Sequence, residues 1–177
     1  PRVINLGQFP ATFTVNGGPA TSFIVISPQF FSRASPLQMK NFIDYILSRN
    51  LRIDLSRVYL TGFSVGGDVA WKTPMNLASA LRLAALAPIS SYTAPLTDTT
   101  CQFIAGANLP VWAIHSSTDG VPASGSQALV DKVNSFNPPI RAIITKPRGI
   151  THENSHIAFY ARAYRPNGKN DYEGCLR

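Results

Sequence analysis

The sequence predicts an α/β fold, a mostly parallel sheet with helices on both faces. Short apolar, β-branched runs recur along the chain, of the kind that parallel strands bury on both faces. Amphipathic stretches separate these runs, so strands and helices alternate. The 177 residues, 45% apolar and 14% charged, suit one domain over residues 1–177 with a substantial core. That composition excludes a disordered chain, because a typical soluble domain carries about 25% charged residues. No apolar run approaches the roughly 20 residues that cross a bilayer. No internal repeat, low-complexity segment or second domain stands out.

Residues 1–21 are rich in Pro, Gly, Asn and Thr without periodicity and read as an irregular entry. Ser22 to Ser27 (SFIVIS) is the first expected strand. Ser35-Pro36 opens a helix, with Ser as N-cap and Pro in the first turn. Met39, Phe42, Ile43, Ile46 and Leu47 then form one apolar stripe. Arg57 to Thr61 is the second strand. The stretch from Val65 to Leu77 is helical in pattern, and Pro74 should kink or shorten it. Leu83 to Ala87 and Val111 to His115 are the third and fourth strands. Ser124 to Phe136 is an amphipathic helix around Leu129, Val130 and Val133. Ile140 to Thr145 is the fifth strand, and Ile157 to Tyr164 a short last helix.

The charge is +7, from 16 Lys and Arg against 9 Asp and Glu. The basic residues are scattered and lack the interleaved aromatics of a nucleic-acid surface, so no nucleic-acid partner is expected. The two cysteines, Cys101 and Cys175, lie in no metal-type spacing. An even count permits a Cys101–Cys175 disulfide, which would suit a secreted or periplasmic setting. No metal or cofactor is expected.

Chemistry concentrates after the second strand, in Gly62-Phe63-Ser64-Val65-Gly66-Gly67. This is G-x-S-x-G between a strand and a helix. The serine of such a turn sits on a strained backbone and projects its hydroxyl from the sheet edge, while the glycines admit the close approach of strand and helix. Ser64 is therefore the expected nucleophile. The Val65 N–H, at the helix start, is the expected oxyanion donor.

A serine needs a base, and the base needs an acid to orient it. Asp119 follows the strand ending at His115 and is the expected acid. Asp98 lies in a Thr-rich loop and reads as a cap, and Asp131 reads as a solvated mid-helix residue. Of the three histidines, His152 follows the last strand and is the expected base. His156 is the alternative, and His115 reads as a structural residue at a strand end. Phe63, Trp71 and Tyr92 are candidates to line an acyl pocket.

Several runs together resemble a known family. They are Arg52 to Gly67 (RIDLSRVYLTGFSVGG) followed by Trp71, Ile26-Ser27-Pro28-Gln29, Leu86-Ala87-Pro88-Ile89, and Leu109 to His115 leading to Asp119 and Val121-Pro122. They resemble the phospholipase/carboxylesterase and polyhydroxybutyrate-depolymerase-like branch of the α/β-hydrolases, over roughly residues 22–165. The resemblance implies Ser64, Asp119 and His152 as nucleophile, acid and base, and esters with short acyl or aromatic groups, including polymer-linked ones, as substrates. It also admits peptidase or depolymerase activity.

The chain departs from that family in three places. Thr151-His152-Glu153-Asn154 lacks the family's Gly before the histidine and Trp after it. Pro74 interrupts the helix after the nucleophile. Residues 1–21 hold no His-Gly oxyanion loop, and the first strands of the family's sheet are missing. The expectation is thus a chain that begins inside the domain, with the second oxyanion donor outside it. The alternative to an esterase is a non-catalytic binding module of the same fold.

Overall fold

The computed structural model describes residues 14, 20, 22–91 and 95–155. The chain divides into two compact units, Pro1–Gln29 with His156–Arg177, and Phe30–Ser155. In the first, the described residues 22–29 carry no regular secondary structure, so the strand expected over Ser22 to Ser27 is not formed. Ile24, Val25 and Ile26 are exposed. An apolar, β-branched run fits a pleated sheet, but only a ladder partner makes it a strand. The helix expected over Ile157 to Tyr164 lies outside the described residues.

The second unit alternates helix and strand. Its elements are α1 (Pro36–Ser48), a 3-10 turn (Leu55–Arg57), β1 (Tyr59–Phe63), α2 (Val65–Lys72), α3 (Leu77–Leu81), β2 (Ala85–Ile89), α4 (Asp98–Gly106), β3 (Trp112–Ile114), α5 (Ala123–Asn134) and β4 (Ile143–Thr145). The strands form one four-stranded sheet in the order β1-β2-β3-β4. All three pairs are parallel, with Tyr59 opposite Ala85, Ile89 opposite Ile114 and Trp112 opposite Ile143. Each strand is laid down beside its predecessor, and helices lie between successive strands along the chain. Helix α3 packs on α4 and α4 on α5.

Local chemistry sets the element ends. Ser35 caps α1 through a capping box: its hydroxyl accepts from the Gln38 N–H, and the Gln38 side chain accepts from the Ser35 N–H at 2.8 Å. Asp54 caps the 3-10 turn by accepting from Ser56, which delays β1 to Tyr59, two residues later than the apolar pattern suggests. Helix α2 stops at Lys72, because Pro74 cannot donate a helical bond. The chain restarts at α3, capped by Asn76. Helix α4 escapes the periodicity reading because its first turn is Thr-rich. Thr97 is its N-cap, bonded to the Thr100 N–H at 3.2 Å, and Asp98 opens its first turn.

The core lies between sheet and helices, built from Trp71, Leu86, Ile104, Val111, Leu129, Val130 and Val133 among others. Cys101 belongs to it as a fully buried free thiol. Cys175, and with it the expected Cys101–Cys175 bridge, lies outside the described residues. Burial raises the Cys101 thiol pKa above its ordinary value. Among the described residues, no helix is long and apolar enough to cross a membrane.

Candidate active site

Parallel strands collect their C-terminal ends at one edge, and the loops that follow them share that edge. Ser64 follows β1, Ser90 and Ser91 follow β2, Asp119 follows β3, and His152 follows β4. The alternation of elements thus brings residues far apart in sequence to one place.

Ser64 sits at φ 53° and ψ −117°, a strained conformation for a residue with a side chain. Its N–H donates to the Ile89 carbonyl at 2.9 Å, which anchors the turn to β2. Its hydroxyl caps no helical N–H and is left to face the site. Two glycines make this turn sterically allowed. A Cβ on Gly62 would lie 2.2 Å from the Gly66 carbonyl oxygen, and one on Gly67 would lie 2.9 Å from the Ser91 Cβ. A Cβ on Gly66 would meet nothing within 4 Å. The close approach is therefore carried by Gly62 and Gly67. Val65 begins α2, so its N–H is one of the helix-start donors without an intrahelical acceptor.

The structure brings Ser64, His152 and Asp119 into one hydrogen-bonded line. His152 Nε2 lies 3.0 Å from Ser64 Oγ. His152 Nδ1 lies 2.8 and 3.1 Å from the two Asp119 carboxylate oxygens. Asp119 is ionised: burial pushes its pKa up, but the Val121 N–H, the Ser90 hydroxyl and His152 outweigh burial and hold it below the usual carboxylate value. The Val121 bond is 2.8 Å. The Ser90 hydroxyl is fully buried beside the carboxylate. An anionic Asp119 accepts from Nδ1–H, which leaves Nε2 as a lone-pair acceptor toward the serine.

The acid and base loops are stitched together. The Ser117 N–H donates to the Pro147 carbonyl at 2.9 Å, and the Gly149 N–H donates to Thr118 Oγ1 at 3.0 Å. Gly149 has φ 72°, a left-handed conformation that suits glycine, and the chain turns there toward His152. Residues 152–155 are helical, and the Ser155 hydroxyl bonds back to the Thr151 carbonyl at 3.0 Å.

The other candidates fall elsewhere. Phe63 packs against the His152 ring, with centroids 4.8 Å apart. Trp71 has no exposed surface and belongs to the core, so it does not line a pocket; an indole that size on the inward side of α2 is core filling. Tyr92 and His156 lie outside the described residues. Asp98 pairs with Lys132 at 2.7 Å, and Asp131 is exposed and accepts from Gln127. His115 is fully buried, 3.6 Å from the Asp119 carboxylate. Ser90, Ser91, Thr118 and Ser126 were not singled out by sequence. Small polar residues directly after a strand that ends at the site are the signal that points to the first two.

No family model and no curated protein matches the chain. Solved structures do. A thermostable esterase superposes with a TM-score of 0.57 and 26% identity, over 70% of this chain and 33% of that one. The carboxylesterase Cest-2923 from Lactobacillus plantarum WCFS1 gives a TM-score of 0.54 and 17% identity, over 79% and 63%. SOBER1 from Arabidopsis thaliana gives 0.52 and 21%, over 72% and 61%. The chain thus spans a third of the first protein and less than two thirds of the other two. The esterases among them fit the phospholipase/carboxylesterase resemblance. Sequential parallel strands, a strained serine closing the first of them, and these likenesses identify the chain as having the α/β-hydrolase fold.

Proposed function

We propose that this chain is a serine hydrolase that cleaves carboxylic esters through an acyl-enzyme. The observation that carries the reading is the unbroken line from Asp119 through His152 to Ser64 Oγ, with bonds of 2.8 and 3.0 Å. The likeness to esterases supports it.

Ser64 Oγ attacks the ester carbonyl carbon, and its proton passes to His152 Nε2. The resulting imidazolium is stabilised by the adjacent Asp119 carboxylate. The negative charge that develops on the carbonyl oxygen faces the Val65 N–H at the start of α2. Collapse of the tetrahedral intermediate breaks the carbon–oxygen bond, and His152 returns its proton to the leaving alcohol. Water then attacks the acyl-enzyme with His152 again as base, releasing the acid and restoring Ser64. No metal or cofactor is needed for these steps. The substrate class is a small-molecule or polymer-linked ester.

Ser64→Ala abolishes p-nitrophenyl ester turnover and leaves the circular dichroism spectrum unchanged. Turnover that survives in this variant overturns the assignment. A fluorophosphonate probe separates an esterase from a binding module of the same fold: the esterase is labelled at Ser64, and the binding module is not.

A further inference from the structure

Outside the proposed triad, the most unusual polar group in the described residues is His115. Its side chain has no exposed surface, yet both ring nitrogens are bonded. Nε2 lies 2.9 Å from the Val121 carbonyl oxygen. A carbonyl only accepts, so Nε2 carries the proton. Nδ1 lies 2.8 Å from Ser126 Oγ, in the first turn of α5, and the neutral ring accepts the Ser126 hydroxyl proton there. Ser126 Oγ lies 3.2 Å from Ser91 Oγ, just after β2. The chain of bonds thus runs from the end of β2, through α5 and His115, to the peptide after Asp119.

Val121 is held on both sides. Its N–H donates to Asp119 Oδ1 and its carbonyl accepts from His115. The Asp119 N–H also donates to the Ser116 carbonyl at 3.2 Å. The carboxylate is thus aimed by a short turn whose free end is fixed by the buried imidazole. We propose that His115 is a positioning residue: through the Val121 peptide it sets the orientation in which Asp119 meets His152. This role rests on the ester-hydrolase reading of the site. A purely space-filling histidine would need neither bond, and an apolar residue of similar size would serve as well.

The test compares His115→Leu with His115→Gln. Leucine fills the space without a donor, while the glutamine side chain offers an N–H at similar reach. His115→Leu is expected to lower kcat on p-nitrophenyl acetate roughly 10- to 100-fold with KM unchanged, the cost of a misaimed catalytic group. His115→Gln recovers most of that loss. Ser126→Ala, which frees Nδ1 with little change in volume, lowers kcat by a smaller factor and serves if the leucine variant does not fold. The strongly deshielded proton NMR resonance of the His152–Asp119 bond is retained with glutamine and shifted or lost with leucine.

A folded His115→Leu protein with wild-type kcat and an unmoved resonance overturns the role, as does glutamine no better than leucine. If the leucine variant does not fold, an unchanged kcat and resonance in Ser126→Ala overturns it. The resonance reads geometry without turnover. Should the wild-type protein hydrolyse no ester, the ester-hydrolase reading fails while the resonance still decides the role of His115.

Discussion

Gly62 and Gly66 look equivalent in the G-x-S-x-G pentapeptide but do different things. A methyl group on Gly62 collides with the Gly66 carbonyl, whereas one on Gly66 enters open space. Gly62→Ala is expected to cost about 3 kcal/mol, at the upper end for overpacking, and to abolish turnover. Gly66→Ala, within α2, is expected to stabilise by up to about 1 kcal/mol through helix propensity. Urea unfolding of both variants checks the pair, and equal effects would refute the distinction. His115 gives a prediction in pH. Burial pushes its pKa below the ordinary 6.5, with the Val121 carbonyl and Asp119 partly opposing and His152 and Lys146 adding to the burial effect. The unfolded chain therefore takes up a proton near 6.5 that the folded chain refuses. His115 thus contributes stability fully above pH 6.5, and that contribution is lost as pH falls toward its lowered folded value. Unfolding free energy should fall more steeply below pH 6.5 in the wild-type protein than in His115→Gln, as read by urea midpoints from pH 7 to pH 5.

At the scale of elements, what can be read from sequence depends on whether the signal is local. Helix α1 is legible because its N-cap serine, its first-turn proline and its apolar stripe are all local to the helix. Ser35→Ala removes the capping box and should cost about 1 kcal/mol in thermal unfolding, with ester turnover retained. The break after α2 is legible because Pro74 acts on its own neighbours. Ser22 to Ser27 misleads because a strand depends on a partner that the run itself does not encode. Helix α4 hides because its Thr-rich first turn looks like a loop until Thr97 is seen to cap it. The candidate site divides in the same way. Ser64, Asp119 and His152 are legible because few residue types perform this chemistry and each follows a strand. The work of His115 is not, since it is done through the backbone carbonyl of Val121, and no side chain announces which carbonyl a turn will present.

For the unit Phe30–Ser155, the sheet order determines how the site is supported. The β1–β2 pair is in register over Tyr59 to Phe63, and the β3–β4 pair over Trp112 to Ile114. Between them, β2 and β3 share the Ile89–Ile114 pair and the Leu86–Val111 bridge. Ser64 belongs to the first half of the sheet, while Asp119 and His152 belong to the second, where Thr118 and Ser117 stitch their loops together. The β2–β3 pairing, closed by the Leu86 N–H to the Pro110 carbonyl at 2.9 Å and the Ser90 N–H to the Ile114 carbonyl at 2.7 Å, is therefore the seam that joins the two halves of the candidate site. Partial opening along it would part Ser64 from His152 while each half kept its own strand pairing. On heating, ester turnover should fade a few degrees before the far-ultraviolet dichroism does; coincident loss of both would argue against such a seam. A molecule joined this way would lose the geometry of its candidate site first and its fold only afterwards.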